Sequence, residues 1–367
     1  MDTQRPIEIF IPEVEAFGGA ERSDLALSRW LYQQGIENRV LTYEDRVGLA
    51  RYVQHPLEVI QLRPERGVRA KVAALKAHFA GQKQQSRLIV SGYQPALHAT
   101  LAGARGFQCL MHDTAALLGD AGHRSLKGKL RLGISNVIIG VGLRSGGATV
   151  VTSEFLQGEC RSDFWIKAKI ARMGGLPANS GFRERPFDGS LNLLSVCRIE
   201  ANKRIDWMLE ALAVLEKEAR PLSAKADWRL DVAGKGSLIE SLQKQAQQLG
   251  IADRVRFLGF VSDEDLQSLM HEAHLFLMPA VQGFGIPAVE ALQTGIPVLL
   301  HRESGVSDIL RATPWATVFE GGPEAMVPAL RVAIDNLIEG KHIGTPLPPI
   351  STEDEWAAKV AGFCGWC

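Results

Sequence analysis

The chain has 367 residues, enough for two domains of ordinary size. Its 46% hydrophobic and 22% charged residues are those of a globular protein that buries real cores. Its 41 Lys and Arg balance its 41 Asp and Glu, and zero net charge excludes the basic footprint of a general nucleic-acid binder.

In chain order, the first residues carry no apolar signal core, so secretion is not expected. Ile7 to Ile11 reads as a short buried strand, followed by Phe17-Gly-Gly-Ala-Glu21 and a helix. Leu25, Leu27, Ser28, Leu31 and Tyr32 are expected on that helix's inner face, and Gly35 ends it. Arg39 to Tyr43, Arg87 to Ser91, Gln108 to His112 and Ala148 to Thr152 read as further strands, the last three each followed by helix-like sequence. Strands alternating with helices imply α/β architecture, a parallel sheet covered on both faces. His123 to Arg131 is basic, and the apolar stretch Leu132 to Leu143 behind it is too short to span a bilayer. Such a segment either lies on an anionic membrane surface or packs on the sheet with its lysines solvated.

The turn-rich run from Gly174 to Pro186 reads as a linker, after which the pattern repeats. Leu191 to Val196, Trp228 to Ala233, Val255 to Leu258 and His274 to Met278 are strands. Ile205, Met208, Leu209 and Leu212 give one helix its inner stripe. Ser262 to Asp265 has capping-box spacing ahead of a helix lined by Leu266, Leu269, Met270 and Ala273. Pro346 to Pro349 breaks the chain before a final helix, Thr352 to Phe363. The boundaries expected are 1–182, 188–345 and a closing segment 346–367. Cys109, Cys160 and Cys197 read as buried thiols. Cys364-Gly-Trp-Cys367 has redox spacing but lacks a helix after it, and two thiolates are half a structural zinc site.

The most informative segment runs from Pro279 to Val298: strand end, glycine loop, helix start, then a glycine turn into another strand. Gly283 and Gly285 flank Phe284, so backbone can come close to a bound group. Pro287 suits a first helical turn. A helix opening there aims N–H groups and partial positive charge at an anion such as phosphate. Glu290 beside that cradle supplies a carboxylate for a ribose diol. Arg198 offers a planar fork and Lys203 a point charge, complementary tools for a diphosphate. A one-place shift would substitute Arg204 for Lys203. Gly18, His112, Arg198, Gly234 and Gln282 all follow strands, where open α/β sheets bind ligands. Two such sheets facing each other would set these loops on opposite walls of one cleft.

Taken together these segments resemble glycosyltransferase family 4, retaining sugar-nucleotide transferases with the GT-B fold of two Rossmann-like domains. The resemblance covers nearly the whole chain and is strongest from Leu191 to Leu310. It implies that Gly18 and Gly19, with Ala20 and Glu21, pack against the donor diphosphate. It implies that Arg198 and Lys203 hold the phosphates, and that Gly234-Lys-Gly236 and Phe257-Leu258-Gly259 surround the base. Pro279 to Val298 is similar to the family's Glu-x7-Glu motif, with Gly305 in the following loop. One departure matters: the motif's first acid is Gln282, and only the second, Glu290, is acidic. Gln keeps hydrogen bonding but removes charge.

What the resemblance implies is transfer of a hexose from a UDP- or GDP-activated sugar to a glycan or lipid-linked acceptor, in surface polysaccharide or glycoconjugate assembly. Retention, no metal, no cofactor and a cytoplasmic or peripheral membrane location through 123–143 belong to the same expectation. His112, next to Asp113, would lie near the reacting sugar and orient the acceptor hydroxyl. Inverting transfer would instead want a base, with Asp113 or Glu21 the candidates. Gln282 also allows a sugar-nucleotide-binding protein that has lost turnover, and an epimerase on the same fold is a third reading.

Overall fold

The strand–helix alternation is realised twice in the computed structural model, which describes residues 5–82, 87–113, 126–175, 181–219 and 221–367. The chain divides into two units, Met1–Gly174 with Ser351–Cys367, and Gly175–Ile350.

In the first unit the order is β1 (Ile7–Phe10), α1 (Gly19–Gln33), β2 (Asn38–Thr42), β3 (Val59–Gln61), α2 (Val68–Gly81), β4 (Arg87–Ser91), α3 (Tyr93–Leu101), β5 (Gln108–Met111), α4 (Leu126–Leu143), β6 (Thr149–Val151), α5 (Glu154–Phe164) and β7 (Lys169–Ile170). The strands form one parallel sheet ordered β3-β2-β1-β4-β5-β6-β7. Ile7 stands opposite both Asn38 and Arg87. Strand β1 is central and buried throughout, as a parallel strand covered on both faces must be. Its one charge, Glu8, is held by Arg39 at 2.6 and 2.9 Å, His78 at 3.2 Å and Gln82 at 2.9 Å. Burial opposes ionisation of Glu8, but the bonds from His78, Gln82 and Arg39 outweigh it and keep the carboxyl below its usual range.

In the second unit the order is β8 (Ser190–Val196), α6 (Ile205–Glu216), β9 (Asp227–Ala233), α7 (Ile239–Leu249), β10 (Val255–Gly259), α8 (Asp263–Glu272), β11 (Leu275–Met278), α9 (Ile286–Gln293), β12 (Val298–His301), α10 (Ser307–Leu310), β13 (Ala316–Phe319) and α11 (Pro323–Ile338). Its parallel sheet is ordered β10-β9-β8-β11-β12-β13. The α6 stripe of Ile205, Met208, Leu209 and Leu212 is buried with Leu191 and Leu230 of the sheet and Leu330 and Ile334 of α11. Each such side chain contributes about 1.5–3 kcal/mol of transfer free energy. The last helix, α12 (Glu353–Phe363), returns to the first unit and packs on α1, with Arg22 on Glu353 at 2.6 Å and Arg29 on Asp354 at 2.7 Å. Thr352 and Glu355 close its capping box.

Both sheets reverse their strand order once, between β1 and β4 and between β8 and β11. At such a switch point the flanking connections leave on opposite faces and open a crevice at the carboxyl ends of the strands.

Several expectations need correction. Tyr32 is 50% exposed rather than packed inward. It sits in the last turn of α1 and stacks on His55 at 5.1 Å. Residues 262–265 make only half a capping box: Ser262 Oγ accepts the Asp265 amide at 3.1 Å, and the Asp265 carboxylate takes the Ser262 hydroxyl proton at 2.7 Å. Strand β5 ends at Met111, so His112 heads the loop after it. Residues 123–125 and 176–180 of the basic segment and the linker lie outside the described residues.

Candidate functional site

In the second unit four loops meet at the carboxyl edge of the sheet, around the switch point. The loops after β8, β9 and β10 are stitched by backbone: Cys197 N–H to Ala233 O at 3.0 Å, Ile199 N–H to Lys235 O at 2.8 Å, and Gly234 N–H to Gly259 O at 2.7 Å. Only glycine fits this seam. Gly234 has φ +143°, and a Cβ there would lie 1.8 Å from Cys197 O, while one on Gly236 would lie 2.0 Å from Ile199 O. Leu258 is half-buried on β10 beside the seam. The loop after β8 is also tied to the loop after β11, through Val281 N–H to Asn202 O at 3.0 Å and Asn202 Nδ2 to Val281 O at 3.2 Å.

This stitching sets the polar groups. Lys203 Nζ donates to Gln282 Oε1 at 2.8 Å. An ammonium can only donate, so the Gln282 amide must turn its oxygen to Lys203. Gln282 Nε2 then meets Ser304 Oγ at 3.3 Å and Met278 Sδ at 2.7 Å. Gly285 caps α9 with φ +119°, and a Cβ on it would collide with that same Met278 and Gln282 pair. The first turn of α9 opens beside Gly283, with Pro287 in it. The Phe284 ring is buried, so the loop presents backbone there, its carbonyl taking the Ser304 hydroxyl at 3.2 Å. Glu290 is half-buried one turn further along α9. The Arg198 guanidinium is 72% exposed, with Glu200 at 3.2 Å. Arg204 has a structural task instead: it bonds Glu303 at 2.6 Å and lies 4.2 Å over the Trp207 ring. Of the two neighbouring cations, Lys203 is the one bonded to Gln282.

In the first unit the corresponding edge holds a side-chain network. Gly18 precedes α1 and its N–H is accepted by Glu21 at 3.0 Å, with Gly19 opening the helix. His112 Nε2 donates to Asp24 Oδ1 at 3.4 Å, and Asp24 Oδ2 accepts the Ser91 hydroxyl at 2.6 Å. Asp24 is fully buried on α1, His112 follows β5 and Ser91 ends β4, so three elements around the switch point share one carboxylate. The other ring nitrogen, His112 Nδ1, is buried and finds no hydrogen-bond partner among the described residues. Burial alone would depress the imidazole, but the bond and charge of Asp24, with the charges of Asp113 and Glu21, hold its pKa above the ordinary histidine value. Burial, then the charge of Asp24, pushes the Glu21 carboxyl up, against the amide bonds that would lower it.

Gly18, Gly19 and His112 thus fall on the first unit, and Arg198, Lys203, Gly234, Leu258, Gln282, Gly283, Phe284, Gly285 and Glu290 on the second. Sequence reasoning missed Asp24, whose signal was an acid at a core-facing position of an amphipathic helix. It also passed over Phe260, 73% exposed directly after the Phe257-Leu258-Gly259 segment, with Lys235 at 5.0 Å over its ring. Burial pushes the Cys109 thiol well up and those of Cys160 and Cys364 to about 12, which disfavours the reactive thiolate. Among the described residues no three His, Cys, Asp or Glu are grouped to hold a metal ion. No helix among them is long and apolar enough to cross a membrane.

Residues 180–343 match the family model described as glycosyl transferases group 1. Among curated proteins, the chain is 32% identical over 139 residues to a GDP-mannose-dependent α-(1-6)-phosphatidylinositol dimannoside mannosyltransferase of Mycobacterium tuberculosis. That stretch is 37% of this chain and 34% of the relative, so the match spans about a third of the relative's length. Among solved structures, WaaG, a glycosyltransferase involved in lipopolysaccharide biosynthesis, superposes with a TM-score of 0.70 at 18% identity, covering 97% of this chain and all of that one (100%). Anabaena HepE in complex with UDP gives a TM-score of 0.68 at 16% identity, covering 98% of this chain and 95% of that one. At these identities the likeness establishes the fold, which is GT-B.

Proposed function

We propose that this chain, which belongs through its second unit to the group 1 glycosyl transferases, moves a hexose from a UDP- or GDP-activated sugar to a glycan or lipid-linked acceptor, with retention at the anomeric carbon. The observation that carries the reading is the Lys203–Gln282 pair at 2.8 Å, fixed at the switch point beside the exposed Arg198 and the glycine start of α9. As the bond between the anomeric carbon and the diphosphate oxygen stretches, negative charge grows on that oxygen. Fixed cations and amide dipoles aimed there lower the barrier. We assign that task to Lys203, Arg198 and the α9 N-terminus, with no metal required, and Glu290 to the ribose diol. The acceptor oxygen attacks from the face the diphosphate leaves, and its proton passes to the departing phosphate. His112 orients that hydroxyl through Nδ1 while Asp24 holds Nε2–H.

The relative that depends on GDP-mannose and the fold neighbour solved with UDP support keeping both bases as donors. Surface polysaccharide or glycoconjugate assembly at the cytoplasmic side of a membrane is the setting we propose. Exposed Leu130, Ile134, Val137 and Val141 form one stripe of α4, flanked by exposed Lys127 and Arg131, and support that location.

Gln282 supports a second reading, a sugar-nucleotide binder without turnover, because a neutral amide stands where the family resemblance calls for an acid. Proton NMR of reactions with α-linked UDP- and GDP-hexoses separates the two. Transfer with an α-configured product is expected. An inverted product would overturn retention, and turnover only after Gln282→Glu would favour the binder.

A further inference from the structure

We propose that Phe17 and Tyr52 form a stacking platform for a pyranose ring of the acceptor. This deepens the transferase reading, which supplies the acceptor's role. Phe10, Tyr43, Trp228 and Trp315 are fully enclosed. Phe17 and Tyr52 remain 37% and 41% exposed, yet they are ordered against each other, with ring centroids 4.0 Å apart and planes 1° from parallel. Isolated aromatics at a surface are common, but here Tyr52 covers the inner face of Phe17 and Arg51 lies over the Tyr52 ring, so the outer face of Phe17 is the plate, backed by Tyr52.

The plate is built rather than incidental. Phe17 lies on the loop after β1 and Tyr52 on the loop after β2. Backbone joins the two loops, Val14 N–H to Glu44 O at 2.9 Å and Arg46 N–H to Val14 O at 3.0 Å. Asp45 organises the second loop by accepting three successive amides, Val47 at 3.1 Å, Gly48 at 2.7 Å and Leu49 at 2.7 Å. Gly48, at φ +71°, makes the turn, and Leu49 anchors it in the core. Arg51 then fixes the ring, donating to the Tyr52 hydroxyl at 2.8 Å with its guanidinium carbon 4.9 Å from the centroid. Tyr52 is therefore in place before any ligand arrives, and preorganisation of this kind lowers the cost of binding.

Its place in the chain says what it receives. Phe17 directly precedes Gly18, whose amide is held by Glu21, and Glu21 shares its field with Asp24 and His112. A ring stacked on Phe17 thus sits at the carboxyl end of β1, on the unit that carries His112. A pyranose offers one face of C–H groups for such a plate and keeps its hydroxyls at the rim. A nucleobase would also stack on it, and the test separates the two.

Saturation-transfer NMR with methyl α-D-mannopyranoside and methyl α-D-glucopyranoside reads the platform directly. Saturation is expected at the ring-face protons of at least one glycoside. Phe17→Ala should weaken that binding about ten-fold, as loss of an aromatic partner does, while Phe17→Trp retains it. Affinity for UDP-glucose and GDP-mannose, measured on the same proteins, should be unchanged. Phe17 is on an exposed loop, so equal melting temperatures will confirm that the variants fold. The proposal is overturned if wild type saturates neither glycoside, if Phe17→Ala binds equally well, or if donor affinity falls in place of glycoside affinity. Absent donor binding with intact glycoside binding would count against the transferase reading and leave the platform standing.

Discussion

Gly234 and Gly18 both follow a strand of a parallel sheet, yet an added Cβ would meet different things. At Gly234 it would lie 1.8 Å from the carbonyl oxygen of Cys197, in a backbone at φ +143°. At Gly18 the nearest atom is a Glu21 carboxylate oxygen at 3.1 Å, and the backbone is extended at φ −136°. The second unit therefore writes its site into backbone, loop sewn to loop, while the first writes its own into side chains gathered around Asp24. A backbone site holds fixed dipoles and cations for a constant ligand group such as diphosphate. A side-chain site responds to pH and substitution, which suits a region that must fit a particular acceptor.

The comparison breaks first at the cations. Lys203→Ala should cut transfer by about 10²–10³-fold, as loss of a donor aimed at a developing oxyanion does elsewhere, and a steady-state rate within three-fold of wild type would remove Lys203 from the site. Next come the glycines. Gly234→Ala should cost about 2–4 kcal/mol of stability, from strain and steric overlap, whereas Gly18→Ala should stay below about 1 kcal/mol. Urea denaturation measures both, and equal losses would erase the contrast between the edges.

The third difference is in protons. A raised His112 pKa means that the folded chain binds this proton more tightly than the unfolded chain. Its contribution is fully present below the unfolded value of about 6.5 and is lost as pH rises through the folded value. Asp24→Asn should shift the NMR titration of His112 downward. Its stability deficit should be larger at low pH than at high pH, and an unmoved midpoint would show that Asp24 does not govern the imidazole. The smallest effect belongs to α4. Lys127→Gln should weaken flotation with anionic liposomes by about 1 kcal/mol, the worth of one basic residue near such a surface. Wild type that fails to float would end the membrane reading.

Legibility followed burial. Arg87 to Ser91 is a strand with the bounds its sequence suggests, because central parallel strands read as unbroken apolar runs. β3 and β13 were missed because each is an edge strand with no more than one buried residue, and β7 because it has only two residues. The segment from Pro279 to Val298 was read down to its helix start, since glycine and proline announce backbone directly. Asp24 stayed hidden because its partners, Ser91 and His112, are 67 and 88 positions away. The Phe17–Tyr52 pair is equally a product of the fold, since nothing local in either loop reports the other.

Calorimetric titration of UDP-glucose and GDP-mannose into wild type, Arg198→Ala and Glu290→Ala tests most directly whether the second unit's carboxyl edge holds the sugar nucleotide. Wild type should bind at least one donor. Each substitution should weaken it about ten-fold or more, because a charge-assisted hydrogen bond is worth about 1.5–3 kcal/mol. Equal affinity in all three proteins would contradict that assignment.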